Sequence, residues 1–336
     1  MTTKNRRVAL ALICTMYQGR SKQRHRFGVH PGDQKSEPTI AQRLGTRWLH
    51  AHWLALTGVA IMLAAVASGA SVVEPWSPTG ISSDLYESHA AFDPMTLDFY
   101  FVRSSKKFSG WRILRTHCTH GHWVTPVDAS FAGAGVEADP YFTPDGKSVY
   151  FISTRASGSN QSKDLDIWRA NRAADGHWLA PIRLPPPVNS DEAEWFPRPS
   201  VDGWLYFGSN RSGGIGKNDI WRAREDKPGQ WRVENLGPNI NTQEDEYEPS
   251  PSPDGHRLIM AAADGLYESH KSKVGWIPRV KLDSDINVNG SELGAIFSPS
   301  GRSLLFARDT GEPQSGEFFV WHIRGHEKWP PTCGGR

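Results

Sequence analysis

The chain has 336 residues, with 14 tryptophans, three cysteines, 22% charged residues and a formal charge of +2. That charge is unevenly placed: residues 1–70 hold ten Lys and Arg against two Asp and Glu, which leaves 28 of the 38 basic and 34 of the 36 acidic residues, a balance of −6, for the rest. An acidic body without a basic stripe is a poor partner for nucleic acid, because neutralising phosphate supplies most of that affinity, and anionic membrane surfaces are disfavoured for the same reason.

The basic leader ends in an apolar run over residues 53–67, followed by the small residues Ser68, Gly69 and Ala70. Fifteen apolar residues sit at the upper limit of a signal-peptide core and are short for a bilayer span. Export is therefore expected, to the periplasm or beyond the cell, with cleavage after Ala70. The alternatives are a translation start downstream of Met1 and an uncleaved tether through residues 53–67. No cysteine stands directly after the apolar core, which argues against a lipoprotein. Residues 71–336 then form the second domain.

Within that domain Glu87, Glu137, Glu194, Glu246 and Glu292 recur, and in the last four cases a turn glycine follows nine residues later, at Gly146, Gly203, Gly255 and Gly301. Each of these four units passes through a turn of the Pro-Asp-Gly kind, in which aspartate bonds nearby backbone and glycine supplies the positive φ. An apolar run follows, as in 148–153 and 204–209, and then an aromatic strand such as Asp166-Ile-Trp-Arg169 or Asp219-Ile-Trp-Arg222. A fourth strand is expected to begin at a second tryptophan: Trp123, Trp178, Trp231, Trp276 and Trp329. Self-similarity at roughly 40–50 residues with short strands in each unit predicts a β-propeller, all-β, with four-stranded blades. Five Glu-led units predict five blades, with six as the alternative. The first unit is degenerate, since Glu87 leads to Pro94-Met-Thr96 with no Asp-Gly. Its lead-in from Trp76 reads as the last strand of a blade, placed to close the ring against the fifth unit. Ten of the 14 tryptophans fall at repeat positions, and wedging between blades is their expected role.

The run of Glu, Pro, Ser-Pro-Asp-Gly, apolar strand, Ser-x-Arg, Asp-Ile-Trp, Trp and Asn resembles the TolB-like, WD-repeat-like propeller family. The resemblance spans about residues 76–332 and is fullest from Glu137 to Asp254, including Arg155, Arg211, Asn189 and Asn241. It implies an exported propeller of the bacterial cell envelope that recognises a partner through one face. Propellers of this kind also occur as lyases, hydrolases and peptidase accessories, so fold does not decide function.

No motif assigns catalytic residues. Gly-x-Ser-x-Gly, His-Glu-x-x-His and a phosphate-binding loop are all missing from the sequence. His117, Cys118, His120 and His122 are spaced like metal ligands but lack a matching second pair, so no metal and no cofactor is expected. His89, Glu248 and Trp195 break the repeat without forming a recognisable mechanism. The five glutamates could ring the channel mouth. There each would accept hydrogen bonds from a neighbouring blade, hold a cation, or supply a glycosidase-like pair, a pair that needs two unlike environments. Binding residues are expected on the loop face, among the glutamates, Arg155, Asn160, Arg211, Lys217, Asn218 and the connections bearing Asn189, Asp191, Asn241 and Glu244. Loops on a rigid scaffold concentrate function, whereas the Asp-Gly turns opposite read as structural. The reading is a monomeric, non-catalytic module binding an envelope protein or glycan, with a secreted glycoside hydrolase, polysaccharide lyase or peptidase relative as the alternative. Cys118 and Cys333 lie in neighbouring parts of a closed ring, yet strand direction places them on opposite faces and argues against a bond.

Overall fold

The computed structural model describes residues 72–157, 164–288, 291–309, 316–325 and 327–333. The leader, the 53–67 run and the boundary at residue 70 lie outside the described residues, as does Asn160. Five antiparallel sheets follow one another along the chain, one for each Glu-led unit, and no helix occurs among the described residues. From the axis outward, blade one is Tyr86–Phe92, Phe99–Ser104, Arg112–Thr116 and Val127–Asp128. Blade two is Glu137–Phe142, Ser148–Ser153, Asp166–Asn171 and Ile182–Arg183, and blade three is Glu194–Pro199, Leu205–Ser209, Asp219–Lys227 and Gln230–Asn235. Blade four runs Glu246–Pro251, Arg257–Ala262 and Gly265–Ser272, with Val280–Lys281 outside. The fold is a five-bladed propeller, and the six-bladed alternative falls away.

Second strands are apolar throughout because both their faces are covered. In blade two, Val149 and Phe151 pack with Tyr100, Phe131 and Trp168 on one side, while Tyr150 and Ile152 join the main core on the other. Burying an aromatic or aliphatic side chain in this way is worth about 1.5–3 kcal/mol, and the blades share these side chains at every interface.

Outer strands are shorter than the tryptophan pattern predicts. Trp123 pairs with Cys118 in a two-stranded extension, Trp178 makes one bridge to Arg172, and Trp276 pairs with Lys271, so the tryptophan marks a hairpin tip in these blades. Pro126, Pro181 and Pro278 come next, and proline cannot donate to a ladder, so pairing resumes for only two residues each time. Blade three has no such proline, and its outer strand Gln230–Asn235 is full length.

Ring closure uses both ends of the domain. Val72–Pro75 forms the outermost strand of blade five, whose other strands are Leu293–Phe297, Ser303–Asp309 and Gly316–His322. Trp76 N then donates to Phe318 O at 2.8 Å, and its ring packs edge-on against Phe99 and Phe318. The expectation that Trp76 closes the ring is met. Trp329, by contrast, begins no strand: it lies in the C-terminal tail, 6.0 Å from the Phe92 ring.

This topology also overturns the argument against a disulfide. Because the N-terminal strand supplies the fourth strand of blade five, the tail trails a third strand, and it emerges on the same face as Cys118. Cys118 and Cys333 are bonded, with Cα atoms 5.2 Å apart and a sequence separation of 215. In the chain-entropy model a loop so long contributes about 5 kcal/mol. Peptide mapping without reductant should recover the Cys118–Cys333 pair, and Cys333→Ser should lower the unfolding midpoint; two free thiols in the purified protein would contradict the pairing.

Candidate functional site

All five repeat glutamates lie at or within one residue of the start of their inner strands and are buried, at 0–1% exposure. Each meets an arginine. Arg103 reaches Glu87 at 2.6 Å, Arg211 reaches Glu194 at 2.8 Å, Arg308 reaches Glu292 at 3.1 Å, and Arg155 contacts Glu137. Blade four has Ala262 opposite Glu246 and supplies Arg279 from its outer region instead, at 2.7 Å. The main-chain N–H four residues ahead also donates to each carboxylate, at 2.7 Å from Gly133, 2.6 Å from Thr242 and 2.9 Å from Val288. In the four blades other than the fourth, the arginine also donates to the carbonyl of a buried apolar residue six positions before the glutamate: Ile81, Phe131, Val188 and Ile286. Each guanidinium lies over an aromatic ring of its own blade, in the second strand for Arg155 over Phe151 and Arg211 over Phe207 and in the third for Arg279 over Tyr267. Glutamate, arginine and incoming loop therefore form one unit within each blade.

The remaining loop-face residues divide into inner and outer sets. Asn189 and Asn241 are buried and bond both main-chain groups of Ile167 and Ile220 in the preceding blade, at 2.8–3.0 Å, acting as an extra strand residue. Lys217 and Glu244 are exposed and pair with each other at 2.5 Å. Asn218 bonds Asp245 at 2.6 Å. Arg155 and Arg211 have their guanidinium groups committed to the scaffold just described. Among the described residues no group of three or more His, Cys, Asp or Glu is arranged to hold a metal.

Two residues below each glutamate the inner strand bulges. His89, Asp139, Phe196, Glu248 and Gly294 all have φ between 50° and 65°, and the register shifts there in every blade. Such a conformation is uncommon for His or Asp and a genuine outlier for Phe or Glu, and strained positions of this kind cluster where function or packing over-determines them. Pro140, Pro197 and Pro249 follow directly, suited to a bulge because they have no N–H to place. The bulge turns four side chains toward the axis, where His89 Nε2 lies 3.6 Å from Asp139 and 3.4 Å from Glu248, and its ring stacks on Phe196 at 5.2 Å. Blade one neighbours neither blade three nor blade four, so these contacts cross the channel. His89, Asp139, Phe196 and Glu248 plug it. Asp139 also accepts from Phe196 N at 3.2 Å and Glu248 from Gly294 N at 2.6 Å. A Cβ on Gly294 would stand 2.8 Å from His89 N, so glycine is what lets the main chain at His89 approach blade five so closely.

Below the plug the channel widens into a cavity of about 290 Å³ on the turn face, walled by Phe92, Phe142, Phe297 and Trp329 with a rim of prolines. Exposed Val201 stands on its lip. The sequence had read this face as structural; the cavity forms because the five inner strands end there while the tail folds across from blade five.

No protein-family profile and no curated protein matches the chain. Among solved structures it is similar to TolB from Acinetobacter baumannii, at 17% identity over 73% of this chain and 56% of that one, with a TM-score of 0.42. It is also similar to a putative TolB from Agrobacterium tumefaciens, at 14% identity over 71% and 77% of the two chains and a TM-score of 0.45. An alpha-L-arabinofuranosidase from Lactobacillus brevis follows at 12% identity over 74% and 94%, with a TM-score of 0.46. Likeness this distant separates neither a binding propeller from an enzyme nor one ligand from another. The propeller itself is established by its five sheets.

Electrostatically the two buried layers differ. Burial pushes the carboxyls of Glu87 and Glu246 up, and that of Glu194 to about 7, against the pull of arginine and hydroxyl donors. In the plug, burial lifts Asp139 to about 6, opposed by His89 and Arg198. Trp195, beside the plug, is buried in the main core.

Two outcomes follow. Removing one partner of a buried ion pair strands a charge, at about 3–5 kcal/mol, so Arg211→Ala should destabilise strongly and the double variant Glu194→Gln/Arg211→Met should recover much of the loss. The second concerns Asp139, whose folded pKa exceeds its ordinary 3.8. Such a group adds stability that is full below its unfolded pKa and is lost as pH rises to about 6. Denaturant unfolding from about pH 4 to 6 should show this decline, and Asp139→Asn should flatten it; parallel profiles would show that Asp139 does not titrate there.

Proposed function

We propose that the protein is a non-catalytic binding propeller that receives a protein partner in the turn-face funnel. The observation carrying this reading is the funnel itself, a concave apolar cavity of about 290 Å³ walled by four aromatic side chains, with exposed Val201 at its lip. Concave, mostly apolar sites with few polar groups are where ligands bind, and a glycan would call for more hydrogen-bonding groups than these walls present. The Cys118–Cys333 bond suits an oxidising compartment, which supports export to the bacterial envelope or beyond.

The enzyme reading rests on one observation, the Asp139 carboxyl raised to about 6 with Glu248 on the other side of His89. Against it, both carboxylates are buried and spend their oxygens on His89 and on main-chain N–H groups, leaving no place for a reacting atom.

A displayed library of random peptides, selected against the purified protein and rescreened on variants, tests the reading. Val201→Asp should weaken recovered binders by about tenfold or more, equivalent to about 1.4 kcal/mol, while Lys217→Glu on the loop face should not. The reverse pattern would move the site to the loop face. Hydrolysis of a glycan or peptide panel that Glu248→Gln abolishes would establish an enzyme instead.

A further inference from the structure

Four residues below each glutamate the inner strands carry Ala91, Tyr141, Arg198, Ser250 and Ile296. Ala91, Tyr141 and Ile296 line the cavity, while Arg198 and Ser250 hold the same repeat position in adjacent blades three and four and are buried behind its wall. The apolar surface of the cavity is therefore backed on one side by two polar side chains.

Arg198 is 1% exposed and, among the described residues, makes no ion pair like those of the glutamate layer, although Asp139 and Glu248 attract it from farther off. Its two hydrogen bonds both leave from Nη1 and end on main-chain carbonyls, those of Asp139 at 3.4 Å and Pro197 at 3.2 Å. Its Nε has no partner, and neither has the buried hydroxyl of Ser250. The guanidinium stacks on Tyr141, 4.8 Å from a ring that itself forms the cavity wall. Burial pulls the Arg198 pKa below the ordinary guanidinium value. A buried donor left unpaired costs about 1–3 kcal/mol, and more when charged, so an acceptor delivered from the funnel recovers that penalty on binding.

We propose that the funnel takes the free C-terminus of a partner polypeptide ending in an apolar residue, with the terminal carboxylate on Arg198 and Ser250 and the last side chain among Phe92, Phe142, Phe297 and Trp329. This rests on the binding reading above and adds the chemistry of the ligand. Arg198 can only donate, which excludes a cation, and a planar fork matches two carboxylate oxygens. Asp139 and Glu248, the nearest acidic groups, are turned to His89 and to main-chain N–H groups in the layer above. Size argues for a chain end over a whole small molecule. At about 290 Å³ the cavity lies at the foot of the ~300–1,000 Å³ range of pockets that enclose a ligand, and it opens to solvent, so it holds a terminus while the rest of the chain lies outside.

The test is fluorescence anisotropy of the full chain with labelled peptides, random upstream and ending in Phe or Leu, each made as the free acid and as the C-terminal amide. Free acids should bind at least about tenfold tighter than amides, and Arg198→Met, checked for native near-UV dichroism, should erase that difference. Ser250→Ala, a smaller change that keeps the charge in place, should narrow it several-fold and keeps the test open if Arg198→Met fails to fold. Equal binding of acid and amide, lost on Val201→Asp, would overturn carboxylate recognition while leaving the funnel as the binding site. No binding of either form would overturn both.

Discussion

Five times around the ring a buried glutamate carboxylate meets an arginine, and the rest of the propeller is organised about that pair. The arginine leaves the second strand or, in blade four, the outer region, pairs with the first strand, and in four blades also donates to the carbonyl of an apolar residue in the incoming loop. One side chain thus joins three segments that are far apart in sequence. Buried ion pairs are weak evidence of net stability but break expensively, and this asymmetry makes them registry devices. Blade four shows what is required: its second strand ends at Ala262 without an arginine at or just beyond it, and Arg279 arrives from elsewhere to the same carboxylate. A cation at the carboxylate is needed, whereas its sequence position is free.

A symmetric frame of this kind leaves the axis as the place where symmetry can be broken. The bulge after each glutamate is shared by all five blades, so the backbone directs five positions inward regardless of identity. Five large side chains would not fit. Glycine at position 294 makes room for the main chain at His89, and the remaining four interlock as an imidazole, two carboxylates and a phenyl ring. Positive φ at Phe196 and Glu248 is strained, and the cross-channel contacts together with the bonds to Phe196 N and Gly294 N hold it in place.

The fold was largely legible because its signals are periodic. Glu137 and Glu194 with their Asp-Gly turns announce blades that differ little from one another, and Trp76 already suggested closure. What escaped the sequence are features with no local signal. The bulge hides because nothing in His89, Phe196 or Glu248 favours positive φ; the only trace is the proline after Asp139, Phe196 and Glu248. Arg279 hides because its partner Glu246 lies 33 residues away across the blade. The disulfide was judged by strand direction, and that judgement failed at a single point, the source of the fourth strand in blade five. Asn189 and Asn241 were visible as repeated residues, but the sequence could not show that their amides face a strand of the preceding blade and not solvent. The funnel was missed because it belongs to no repeat: its wall needs Trp329, brought over by the tail.

These layers divide labour along the axis. At the glutamate level the five repeats carry the same residue, because any other would leave an arginine unpaired. Two residues on, identity is constrained by mutual packing across the channel. Two further on the repeat carries five unlike residues: Ala91, Tyr141 and Ile296 line the funnel, while Arg198 and Ser250 lie buried behind its wall. A buried arginine there, which Asp139 and Glu248 attract without pairing to it, strands a donor that an apolar side chain of the same volume would not. In the proposed complex that donor is answered by a carboxylate entering between the aromatic walls of the turn face.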